Sequence, residues 1–144
     1  MKKGFIVIAL ICFISIIIVV YNYNNYYIKQ KEIISFNKQY LEFNKNQVKG
    51  LDITSIMNLA ISNNEKYNVE KNEKDEYIDD GEYSIKIFLK MKIDGKTYSM
   101  EAFEKNGMDE FAQYFGSILF KCTEVTYHEK SGRIATMTFE ALQE

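Results

Sequence analysis

The chain contains no proline and no tryptophan, only two cysteines and a single histidine. Cys12 lies in an apolar run and Cys122 far away in a different setting, so they do not pair within the chain and a secreted disulfide scaffold is excluded. Cys122 reads either as a small buried hydrophobe or as a partner for a second chain. Positive charge is also in short supply. Setting aside Lys2 and Lys3, which precede the apolar run, the 18 basic residues fall by two against 20 acidic ones, and the remainder carries about −4. A nucleic-acid binder needs a cationic face to displace counterions, so no nucleic-acid partner is expected.

A lone histidine limits the chemistry further. His128 falls in an expected strand with Cys122 six positions before it. Six residues of strand cover roughly 20 Å, too far for a nucleophile–base pair or a shared metal. The reading is a solvent-exposed histidine at a strand end. No GxGxxG, P-loop, HExxH, CxxC or GxSxG pattern occurs. The paired carboxylates Asp79-Asp80 and Asp109-Glu110 are adjacent and do not face each other on a regular element. The acidic stretch from Asp75 to Glu82 fails as an EF-hand. With Gly81 at the sixth loop position, Ile78 takes the third and Ile87 falls where the bidentate glutamate belongs. A solvated loop or an irregular calcium site are the readings left. No catalytic, cofactor-binding or metal-binding residue is singled out, and a non-enzymatic role is expected.

What is present is lysine, isoleucine, asparagine and tyrosine, a usage typical of AT-rich coding. The stretch from Phe5 to Tyr21 holds 17 residues without a charge. As a helix it spans about 25 Å, the short end of a bilayer crossing. Tyr21, Tyr23, Tyr26 and Tyr27 follow as an aromatic belt suited to the headgroup layer. No small-x-small cleavage site follows the run, and Cys12 lacks the small residue that a lipobox requires before it. A retained signal anchor is the expectation, with the bilayer as partner. Lys2 and Lys3 beside the apolar run place the amino terminus inside and the rest outside the cytoplasm.

From Tyr26 to Val48 no glycine or proline interrupts the chain. Tyr27, Ile34, Leu41 and Val48 recur every seven residues, Tyr26, Ile33 and Tyr40 one position earlier, and Phe36 and Phe43 widen the stripe. This periodicity predicts that the anchor continues as an amphipathic helix capped by Gly50. Tyr26, Tyr27, Ile33 and Ile34 have no obvious sheet to cover them and are the candidate contact with a second membrane helix, from another copy or another protein. A second helix is expected from Asp52 or Thr54, with Ile53, Ile56, Met57, Ala60 and Ile61 on one face and Asn63-Asn64 ending it. Glu65 to Glu82 reads as a polar loop with a short edge strand.

Alternation of Ile85, Ile87, Leu89, Met91 and Ile93 predicts a half-buried strand. Asp94-Gly95 predicts a two-residue hairpin into a strand from Lys96 to Phe103, with Tyr98, Met100 and Ala102 inward. A short helix with Met108, Phe111, Ala112 and Phe115, bounded by Gly107 and Gly116, follows. Strands from Ile118 to His128 and Arg133 to Ala141 flank a Ser131-Gly132 turn. The fold class is α+β: an N-terminal transmembrane helix extending into an amphipathic helix, then a small antiparallel sheet with one or two packed helices. The expected segments are a basic leader over 1–4, an anchor over 5–21, a membrane-proximal helix over 22–50 and an extracytoplasmic domain over 51–144.

The opening Met1-Lys-Lys-Gly-Phe-Ile-Val-Ile-Ala-Leu10 resembles the start of type IV pilins and pseudopilins, which carry a short basic leader, a glycine, then a phenylalanine opening an apolar helix. The resemblance implies cleavage after Gly4 and a methylated Phe5 as the mature terminus. Pilins usually carry a glutamate five residues into the mature chain, where Ala9 stands here, so the resemblance implies a minor subunit. The domain itself also resembles small membrane-anchored, single-pass proteins of low-GC Gram-positive bacteria, a likeness that carries no function with it. Three roles follow: a membrane-tethered interaction domain, a minor pilin-like assembly subunit, or an extracytoplasmic ligand-binding or sensing module.

Overall fold

The computed structural model describes residues 2–142, without the side chains of residues 2, 3 and 5. Expectations resting on Met1, on the ends of Lys2 and Lys3, and on the Phe5 side chain fall outside the described residues. The chain divides into two compact units, Met1–Ser35 and Phe36–Glu144.

The first unit is one stretch of helix α1, which runs over Lys2–Leu41. Its isoleucines and valines are poor helix formers in water. In hydrocarbon the rule changes, because every backbone group must be bonded within the segment. Ser15 bonds its hydroxyl back to the Ile11 carbonyl at 2.9 Å, so its polar group is also satisfied within the helix. The window inside Ile6–Leu41 with mean hydropathy 2.7 is long and apolar enough to cross a membrane, and none of it is buried.

The second unit begins with the last turns of α1. Tyr40 is fully buried, and Phe36 and Phe43 pack against the same core. Here the structure departs from the sequence reading: α1 stops at Leu41 and does not reach Gly50. Val48 and Lys49 instead form a short strand, β1, paired with Phe120 and Leu119. Val48 is buried in the sheet. Leu41 itself is 38% exposed at the end of α1, so the seven-residue spacing from Leu41 to Val48 does not mark one buried helical face.

Helix α2 covers Gly50–Lys66. The cap is Lys49, whose N–H donates to the Asp52 carboxylate at 3.4 Å; Thr54 lies inside the first turn and bonds back to Gly50. Gly50 has a different duty from the expected cap. A Cβ there would lie 1.8 Å from the Phe115 carbonyl oxygen, because the start of α2 is pressed against the end of a later helix. Ile53, Ile56, Met57 and Ala60 are buried as their spacing predicts. Asn63 and Asn64 do not end the helix. Both are buried inside it, and Asn64 exchanges two 2.8 Å hydrogen bonds with the backbone of Ile85.

Residues 67–85 form a loop, closed by an isolated bridge between Lys71 and Tyr77. Strand β2 is Lys86–Lys90 and β3 is Thr97–Ser99, antiparallel through the Asp94-Gly95 turn. The loop is wider than two residues, closing with Met91 N–H on the Lys96 carbonyl at 2.9 Å. Ile93 consequently points out, at 78% exposure. The returning strand is cut short: α3, Met100–Asn106, starts after Ser99, and Met100 reaches the core from a helix. Helix α4, Met108–Phe115, lies between Gly107 and Gly116 as expected. Strands β4, Leu119–Tyr127, and β5, Ile134–Ala141, complete the chain.

The strand order is β1-β4-β5-β2-β3. The architecture is α+β, and the sheet is mixed where an antiparallel one was expected: β5 runs parallel to β2. The cause is the path of the chain. Helices α3 and α4 carry it across the sheet, so the β4–β5 hairpin re-enters with β5 inserted between β4 and β2. Local alternation and turn signals define each hairpin, while the seam between hairpins depends on that crossover. Helices α2 and α3 pack on β2, and α4 packs on both. Ile85, Ile87, Leu89, Ile134, Met137 and Phe139 face the resulting core, fully buried. The opposite face, with Lys86, Thr126 and Thr136, is left accessible.

Candidate functional site

That open face ends in a groove beside His128. The loop entering β2 carries Asp79 and Asp80 in a tight turn. Gly81 takes φ +72°, a region where a side chain would be strained. Asp80 Oδ1 accepts N–H bonds from Glu82, Tyr83 and Ser84 at 2.9, 2.7 and 2.8 Å. Partial burial would raise the carboxyl pKa, but these donors and the Ser84 hydroxyl together hold it below its ordinary value. Asp79 Oδ1 accepts from Gly81 N–H at 2.8 Å and from the Ser84 hydroxyl at 3.1 Å. Both carboxylates are thus oriented by the backbone of their own loop.

His128 meets this loop from the end of β4. The expectation of a solvent-exposed histidine is overturned: its side chain is 3% exposed. The reason is the loop itself, which folds over the strand end and bonds it. His128 Nε2 lies 2.6 Å from the Ser84 carbonyl oxygen, and Nδ1 lies 3.6 Å from Asp79 Oδ1. One ligand-type atom each from Asp79, Asp80 and His128 falls within 4.8 Å of the others. A cavity of ≈ 340 Å³ opens beside them, lined also by Thr126, Lys130 and Thr136. A neighbouring one of ≈ 220 Å³ shares Asp79 and Thr136 and adds Lys86.

A buried arginine packs beside the same β4–β5 hairpin. Arg133, two residues into the return from the turn, is buried with its guanidinium 3.9 Å above the Phe36 ring and 4.8 and 5.3 Å from Tyr67 and Tyr83. It also donates to the Tyr67 hydroxyl at 3.2 Å. Desolvation pushes the neighbouring Tyr40 hydroxyl well above the ordinary tyrosine range, while the Arg133 charge opposes that shift. Asn37 joins the last turns of α1 to the same hairpin, donating to the Gly132 carbonyl at 2.8 Å and accepting from Ile134 N–H at 2.9 Å.

The residues singled out from the sequence lie elsewhere. Gly4 sits within α1 with open space around it, and Phe5 is helical. Tyr26, Tyr27 and Ile34 are exposed, at 63%, 50% and 65%, and Ile33 is half-buried. They belong to the first unit, and the groove belongs to the second. Sequence reasoning missed the Asp79–His128 pairing, since the two residues are far apart in the chain. The local hint was Asp80-Gly81 followed by Ser84, a turn in which a carboxylate bonds its own backbone. No family model matches the chain, and neither a curated protein nor a solved structure matches it.

Proposed function

We propose that the chain is a single-pass, membrane-anchored interaction domain, non-enzymatic, whose compact unit works outside the cytoplasm. One observation carries the reading: the first unit is an apolar helix without a charge from Phe5 to Ile28, while the second has a complete core of its own. A helix apolar all round needs lipid or another helix to cover it. Lys2 and Lys3 support an N-in orientation, and Tyr21, Tyr23, Tyr26 and Tyr27 sit where the headgroup layer would begin. The exposed Tyr26, Tyr27 and Ile34, with Ile33, offer a seam for a second helix, and burying four such side chains supplies roughly 6–10 kcal/mol before association entropy is charged against it.

Three measurements test this. A phosphatase reporter fused after residue 144 is active outside the cytoplasm; activity of a cytoplasmic reporter instead refutes the orientation. Mass spectrometry of the protein from native membranes finds the N-terminus retained. A terminus at methylated Phe5 replaces this reading with the minor pilin-like subunit that Gly4-Phe5 suggests, and a terminus beyond residue 21 removes the anchor altogether. Cysteines at Tyr26, Ile33 and Ile34 crosslink more than one at Lys31, and equal yields count against any helix-mediated partner.

A further inference from the structure

We propose that Asp79, Asp80 and His128 form a binding site for a divalent transition-metal ion of the zinc class. The proposal does not depend on the membrane reading. It begins with the histidine tautomer. The Ser84 carbonyl oxygen can only accept, so Nε2, at 2.6 Å, carries the proton. In the neutral ring Nδ1 is then a bare lone pair. The His128 side chain is 3% exposed, and Nδ1 faces Asp79 Oδ1, an acceptor. Asp79 is itself 70% exposed, so the gap between these two acceptors opens toward the cavity, where a cation can reach both.

That cation is a proton or a metal ion, and the spacing separates them. A charge-assisted N–H···O bond closes to about 2.7–2.9 Å. Two ligands held about 2.1 Å from one ion at a tetrahedral angle stand about 3.4 Å apart. The observed separation is 3.6 Å. It is longer than a charge-assisted bond and close to the spacing that two ligands of one ion take. The third ligand, an oxygen of Asp80, falls within the same 4.8 Å cluster.

The surroundings agree. A metal-binding imidazole typically donates its other N–H to a backbone carbonyl, and ligating carboxylates are themselves held by hydrogen bonds. Here Ser84 takes the imidazole N–H, while Gly81, Glu82, Tyr83 and Ser84 hold the carboxylates through backbone or hydroxyl donors. Among the described residues no lysine or arginine nitrogen forms an ion pair with Asp79 or Asp80. The adjoining cavity leaves room for water to complete the shell. One imidazole with two carboxylates and no thiolate suits zinc, manganese or nickel, and the nitrogen ligand disfavours calcium and magnesium.

The test uses the full chain in detergent micelles, freed of metal with chelator. Equilibrium dialysis against Zn²⁺ finds one ion per chain, and Zn²⁺ raises the melting temperature while Ca²⁺ at the same concentration does not. Co²⁺ gives visible d–d absorption with the intensity of a nitrogen–oxygen tetrahedral site. Affinity for Zn²⁺ falls about 100-fold or more in His128→Gln and about 10-fold or more in Asp79→Asn. Asp79→Asn keeps the oxygen that accepts from Gly81 and Ser84, so it carries the test if His128→Gln fails to fold. Three outcomes overturn the proposal. The wild-type chain takes up no zinc at 100 times the protein concentration. Zinc binds, but equally well in both variants, which makes it adventitious at surface carboxylates. Or no metal binds while wild-type stability depends on pH in the histidine range and Asp79→Asn abolishes that dependence, which assigns the position to a proton.

Discussion

Asn64 does from a helix what a neighbouring strand would do. Its amide donates to the Ile85 carbonyl and accepts from the Ile85 N–H, both at 2.8 Å and both buried. No strand residue is available at that point, because Ile85 precedes the first paired residue of β2, Lys86, which aligns with Thr136. Replacing Asn64 by alanine leaves one N–H and one carbonyl unpaired in the core. Each orphaned group costs about 1–3 kcal/mol, so the variant should lose about 4 kcal/mol. That is a large part of the roughly 5–15 kcal/mol that holds a domain of this kind together. Asn64→Asp is the sharper variant. It keeps the acceptor for the N–H but turns the donor into a second carboxylate oxygen against the carbonyl. Burial and that contact raise the carboxyl pKa of the folded state above its unfolded value of about 3.9. The native state then binds more protons than the unfolded one, so stability falls as pH rises. The deficit is full above the folded pKa and shrinks as pH drops through it, because the protonated acid can donate again. Urea unfolding of the full chain in detergent, followed by fluorescence of the buried Tyr40 and Tyr77, gives the free energies at pH 7 and pH 4.5. The reasoning is refuted if Asn64→Ala loses less than about 1 kcal/mol, or if Asn64→Asp shows the same deficit relative to wild type at both pH values.

Three further expectations use the same unfolding assay or a simple labelling one. Gly50→Ala should cost at least about 2 kcal/mol, since its Cβ would lie 1.8 Å from a backbone oxygen and two helices must move apart; an unchanged midpoint would show that the contact is soft. Ile87→Asp buries an unpaired charge and should unfold the compact unit, whereas Ile93→Asp, at a position 78% exposed, should stay within about 0.5 kcal/mol of wild type; equal effects would contradict the strand assignment. Burial pushes the Cys122 thiol up, opposed by a smaller effect of hydrogen bonding with the Glu124 backbone, so alkylation at pH 7.5 should be slower than at a cysteine placed at exposed Thr123, with the reaction gaining speed only at more alkaline pH; mass spectrometry of the labelled peptides decides.

Elements with local signatures were legible. Gly107 and Gly116 bracket α4, Ser131-Gly132 turns β4 into β5, and the spacing of Ile53, Ile56, Met57 and Ala60 marks the inner face of α2. Misreadings cluster where tertiary contact overrides a local rule. Asn63-Asn64 has the chemistry of a helix stop, yet its amides have partners waiting in the loop that leads into β2. Gly50 has the flexibility of a cap, yet its missing side chain is what another backbone requires. Met100 alternates correctly for a strand, but a methionine reaches the same core from the first turn of α3. His128 read as exposed because nothing near it in sequence is apolar enough to cover it. Its cover is a polar loop from before β2, folded over the strand end by hydrogen bonds that leave no hydrophobic pattern.

The strand at the centre of the sheet is also the last of the five in the chain. Without Ile134–Ala141 the sheet reduces to two halves that share no strand, β2 with β3 and β1 with β4. Each presents a bare edge, a template for mispairing with another chain. Neither half can close a core, because Ile134, Met137 and Phe139 supply its middle. Long-range pairing of this kind is slow. The sheet therefore closes only when β5 takes its place between β4 and β2, and until then both halves keep an open seam.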